Sequence, residues 1–144
     1  MTLPPMGGDA ASVTVSGFSS GSSIGMFMHV IYSESIQGAG LIAGTPYGFG
    51  VGADEFPNIP DGSSIYIETA KDKASQSLID PLSNLNSKPV YIMGFDQDLY
   101  VKPEQKLIEG TEVFYNYFSA NVIRDQQNYV HTLPTDIAVT DWTP

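Results

Sequence analysis

The stretch Val15-Ser16-Gly17-Phe18-Ser19-Ser20-Gly21-Ser22-Ser23 carries a G-x-S-x-G pattern, Gly17 to Gly21, between two segments of different period. Upstream, β-branched residues alternate with small polar ones over Ser12 to Val15, which predicts a short strand. Downstream, Ile24, Phe27, Met28, Ile31 and Tyr32 recur at the spacing of one helical face, which predicts a helix over Ile24 to Ile36. Strand, tight turn and helix in that order are the setting in which such a pentad forms a nucleophile elbow. The flanking glycines remove the Cβ atoms that would block a sharp turn, and the serine hydroxyl is lifted above the sheet edge. The Ser20 amide at the helix N-terminus is then the expected oxyanion donor.

A serine needs an adjacent base, and the base needs an orienting carboxylate. The chain has two histidines. His29 lies about 15 Å along the elbow's own helix at 1.5 Å per residue, too far to reach Ser19, and is expected on the helix surface or partly packed. The base is therefore His131. The acid should follow a strand between the two, which points to Asp98, with Asp96 as the fallback. A calcium role for this D-x-D pair is disfavoured, because the next residues lack oxygen ligands at alternate positions.

Working outward, Gly38 to Ala43 (GAGLIA) predicts a second, buried strand, and residues 49–61 a long surface loop. Ser64 to Leu78 predicts a helix. Pro89 to Met93 (PVYIM) is a continuous apolar run of the kind found in parallel sheets. Pro103 opens another helical segment, with a break expected at Gly110, and Asn121 to Arg124 predicts a last strand. Strands alternating with helices predict an α/β three-layer domain with a mostly parallel sheet. Residues 1–11 read as a flexible arm and 12–144 as a single domain.

The 144 residues include 16 acidic and 6 basic side chains, a formal charge of −10, with no cysteine, 42% hydrophobic residues and 15% charged ones. Low charge content with many apolar residues predicts a globule rather than a disordered chain. The acidic balance and scattered basic residues disfavour nucleic acid and anionic membrane surfaces as partners. Without cysteine there is no disulfide framework, thiolate metal site or cysteine nucleophile. No apolar run approaches the roughly 18 residues of a membrane span. The start, MTLPPMGGDAAS, has neither a basic n-region nor an apolar h-region, so no secretory signal is expected within the chain.

Taken in order, VSGFSSGSS, GAGLIAGTPYG, PNIP, the KPVYIMG strand leading to Asp98, and HTLPTD resemble the catalytic region of the poly(3-hydroxybutyrate) depolymerases and related polyester hydrolases. The likeness runs from Ser12 to Asp136. The resemblance implies a circularly permuted α/β-hydrolase fold, a Ser19–His131–Asp98 triad, hydrolysis of 3-hydroxyalkanoate polyester or small ester substrates, and a secreted protein. Hydrolysis through such a triad needs no metal or organic cofactor. Phe18, Tyr47 and Trp142 are candidates to line an apolar acyl site.

The chain departs from the family pattern at Ser22 and Thr45, where glycines are usual, and at Phe95 and Asp96, where a glycine often precedes the acid. It lacks cysteines common after the P-Y and P-T-D segments. It also ends soon after the histidine segment, which predicts a partial hydrolase domain and makes a non-catalytic, ligand-binding hydrolase-like module the alternative to an enzyme.

Overall fold

The computed structural model describes residues 7–50 and 63–133. Four strands, β1 (Val15–Phe18), β2 (Ala39–Ile42), β3 (Pro89–Phe95) and β4 (Asn121–Gln127), alternate with helices α1 (Ser20–Ile31), α2 (Ser63–Ser75) and α3 (Leu107–Tyr117). All neighbouring strands are parallel, and they lie in the order β1-β2-β3-β4. Short turns of 3₁₀ helix occupy Ala10–Ser12, Leu82–Leu85 and Pro103–Gln105. The first is capped by Asp9, which accepts from the Ala11 amide.

Parallel strands that step in one direction through crossovers of one hand place every connecting helix on the same face. The contacts agree. Val15, Ala39, Leu41, Val90 and Ile92 share a sheet face by register. Gly25 of α1 lies against Leu41 and Val15, and Gly94 on that same face abuts Ile108 of α3. The described residues thus supply the sheet and one helical layer. The other face carries Ser16, Gly40, Tyr91 and Ile123, around an open depression of about 280 Å³. The core lies between sheet and helices, around Met26, Val30, Leu41, Ile92, Phe114 and Tyr115.

Three expectations need correction. The predicted phase of α1 is rotated: Ser22, Gly25, Met26, His29 and Val30 face inward, while Ile24 is 61% exposed and Met28 and Tyr32 also point to solvent. Close approach of a helix to a strand selects small residues at the contact. A Cβ on Gly25 would already lie 3.4 Å from Leu41 Cδ2, a position that hydrophobicity alone does not mark. The helix continues through Gly110, where the missing side chain admits Pro46. Of the loop predicted over 49–61, most lies outside the described residues.

His29 is the third correction, being wholly buried instead of at the surface. Its Nδ1 meets Tyr115 Oη at 2.9 Å, and its Nε2 has no partner among the described residues. Burial, aided by the charge of Lys88, lowers its pKa from 6.5 to about 4. Between those values the unfolded chain binds a proton that the folded one refuses, so stability rises with pH there. The contribution is complete above pH 6.5 and is lost as pH falls through 4. Urea unfolding at pH 7 and 4.5 should therefore show wild type losing about 2 kcal/mol more than His29→Gln over that interval. Equal losses in the two proteins would remove His29 as the cause.

Candidate active site

The candidate site assembles where three strands end. Ser19 follows β1, Asp98 lies three residues past β3, and His131 four residues past β4. In parallel α/β sheets these carboxyl ends are where ligand sites gather.

Ser19 occupies φ +56°, ψ −123°, a strained conformation for a residue with a side chain. The turn is so tight that a Cβ on Gly17 would lie 2.2 Å from the Gly21 carbonyl oxygen. The Ser19 amide donates to the Ile42 carbonyl at 2.9 Å, which ties the elbow to the end of β2. Helix α1 begins at Ser20, so the Ser20 amide is among the four N–H groups that a helix start leaves without an intrahelical acceptor.

The β3–β4 register carries the other two residues together across 33 positions of sequence. Phe95 pairs with Gln127, the Asp96 amide donates to the Gln127 carbonyl at 2.9 Å, and the Gln97 amide donates to the Tyr129 carbonyl at 3.1 Å. Beyond this seam Asp98 turns inward and is 3% exposed. Its Oδ1 accepts from the Tyr100 and Val101 amides, each at 2.8 Å. Its Oδ2 accepts from His131 Nδ1 at 2.7 Å, and His131 Nε2 stands 2.8 Å from Ser19 Oγ. A carboxylate accepts but does not donate, so the hydrogen sits on Nδ1 and Nε2 is left to accept from the serine hydroxyl.

Asp96 stays exposed and accepts from Gln126 Nε2 at 2.9 Å, away from His131. Two aromatic rings flank the imidazole: Phe18 at 4.7 Å and Tyr100 at 5.1 Å between ring centroids. Tyr100 escaped the sequence reading. Its signal was its place two residues after the acid, and it is 77% exposed beside equally bare Leu99. Tyr47, a candidate to line the acyl site, is instead a core residue, 4% exposed and packed against Phe27 and Phe114. Trp142 lies outside the described residues. Among the described residues no three His, Cys, Asp or Glu side chains are grouped to hold a metal ion.

Such a relay can withdraw a proton from Ser19 as its oxygen bonds to an electrophilic carbon, and hold the resulting imidazolium against Asp98. No family model matches the chain. It is similar to a poly(3-hydroxybutyrate) depolymerase of Delftia acidovorans, 33% identical over 133 residues that cover 85% of this chain and 26% of the relative. That similarity supports the poly(3-hydroxybutyrate) depolymerases as the relatives of this chain.

The solved structures agree on the fold. A PHB depolymerase complexed with R3HB trimer matches with a TM-score of 0.81 at 24% identity, over 98% of this chain and 46% of that one. The PHB depolymerase from Penicillium funiculosum gives 0.77 at 24% identity, over 92% and 44%. A Bacillus cereus carboxylesterase gives 0.57 at 19% identity, over 88% and 45%. The fold is that of an α/β-hydrolase, with the parallel sheet the sequence predicted. The chain spans about a quarter of the curated relative and less than half of each solved chain.

Proposed function

We propose that the chain is a serine esterase that cleaves 3-hydroxyalkanoate polyester or related ester bonds. The observation that carries this reading is the unbroken hydrogen-bonded series Ser19–His131–Asp98, with 2.8 and 2.7 Å links, at the carboxyl edge of the sheet. Ser19 Oγ attacks the ester carbonyl carbon while His131 Nε2 takes the hydroxyl proton. The Ser20 amide supports the tetrahedral oxyanion. Collapse breaks the carbon–oxygen bond to the leaving alcohol, which receives the proton from His131. Water, deprotonated by the same nitrogen, then attacks the acyl-enzyme, and Ser19 Oγ departs with that proton. Asp98 keeps Nδ1 protonated throughout, so Nε2 is always the working atom.

The substrate class is carried over from the relatives: one is a poly(3-hydroxybutyrate) depolymerase and one solved neighbour is complexed with R3HB trimer. The exposed apolar rim of Leu99 and Tyr100 beside His131 suits an uncharged ester better than an ionic substrate. Incubation with a fluorophosphonate probe followed by peptide mapping should place the adduct on Ser19. Folded protein that stays unlabelled there is no serine esterase, and granule binding without turnover would then favour the binding-module alternative.

A further inference from the structure

A residue at φ +56° persists in a fold where its surroundings over-determine it. Two restraints on Ser19 are backbone bonds: its own amide to Ile42, and the Ser23 amide to the Ser19 carbonyl at 3.1 Å. A third comes from side chains. Ser23 Oγ accepts from the Thr45 amide at 3.1 Å and from Thr45 Oγ1 at 2.8 Å, and donates to the Ser19 carbonyl at 3.4 Å. A hydroxyl has one hydrogen and two lone pairs. Thr45 takes both lone pairs, so the hydrogen of Ser23 is directed at Ser19.

Packing reinforces this seam. A Cβ on Gly44 would lie 2.3 Å from Ser22 Oγ and 3.1 Å from the Ser23 nitrogen, so the segment after β2 is pressed onto the first turn of α1. Thr45 and Ser22 are two of the positions at which this chain lacks the family's usual glycine. We infer that Thr45 is a positioning residue: through Ser23 it clasps the first turn of α1 and so fixes the Ser19 hydroxyl against His131 and the Ser20 amide against the oxyanion.

The catalytic half of this inference rests on the esterase reading. The clasp itself does not, and two measurements on the full chain separate them. The first is the rate of fluorophosphonate acylation, together with KM and kcat on a soluble ester. Thr45→Val, which keeps volume and loses the hydroxyl, should acylate about tenfold more slowly with KM nearly unchanged, in keeping with one lost hydrogen bond of order 1 kcal/mol. Thr45→Ser should recover to within about twofold of wild type, and adding Thr45→Val to Ser23→Ala should slow acylation no further. The second is amide exchange at Ser19 and Ser23, expected to quicken about tenfold in Thr45→Val and to recover in Thr45→Ser. Unchanged exchange and acylation in Thr45→Val overturn the clasp, as does a Thr45→Ser protein as impaired as Thr45→Val. A wild-type protein that resists the probe, with exchange still quickened by Thr45→Val, overturns the esterase reading and upholds the clasp.

Discussion

Ester turnover by Ser19→Ala should fall by at least about 10⁴-fold, and on the order of 10⁶-fold if the relay acts as a unit. The hydroxyl is the sole atom lost, and it is the one that faces His131 Nε2 at 2.8 Å. Alanine meets the same backbone strain at φ +56° as serine, so the fold should persist with thermal stability close to wild type. Turnover is to be measured on a soluble 3-hydroxybutyrate ester with freshly folded protein. A variant that keeps a tenth of wild-type activity would mean that bond cleavage occurs elsewhere or by another route.

The second large effect concerns Asp98→Asn, expected to lower kcat by about 10³- to 10⁴-fold. The reasoning is specific to this carboxylate. Oδ1 faces two N–H donors, from Tyr100 and Val101, which an amide nitrogen cannot satisfy. The substituted amide must therefore keep its oxygen there and turn its NH₂ toward His131 Nδ1. That nitrogen then has to accept, which moves the imidazole hydrogen to Nε2 and leaves no lone pair for Ser19. Geometry is preserved and the wrong nitrogen is protonated. Asp96→Asn provides the contrast, since Asp96 bonds Gln126 and not the imidazole, and should stay near wild type. If the two variants exchange these outcomes, the orienting acid is Asp96.

Much of the arrangement was legible in the chain because it depends on short-range chemistry. The elbow announces itself through Gly17, which the turn requires sterically, whereas a Cβ on Gly21 would meet nothing, and PVYIM through an apolar run that survives in β3. Chain order and the shortage of histidines then drew Ser19, Asp98 and His131 into one hypothesis, and the structure brings the three side chains into hydrogen-bonding distance. What escaped depends on depth and direction. The phase of α1 follows from steric fit, with Gly25 over Leu41 and Val15 and Ser22 against Gly44, so these small residues turn inward while Ile24 and Met28 turn out. Tyr47 and His29 sit in the core because α3 supplies aromatic partners, Phe114 and Tyr115, from 67 and 86 residues away. No local pattern encodes that pairing. Tyr100 was passed over because an exposed aromatic in a loop carries no period.

The bond from His131 to Ser19 closes a loop of 112 residues, among the longest separations in the molecule. The β1–α1–β2 unit, elbow included, is built from contacts within one short segment, and β3 with β4 from another. The imidazole reaches the serine after these parts have docked and the entropy of closing the whole chain has been met. The strained turn is thus a local product and the relay a global one. Order at the serine reports how the segment from β1 to Thr45 has folded, whereas its reactivity reports whether the entire sheet is in register.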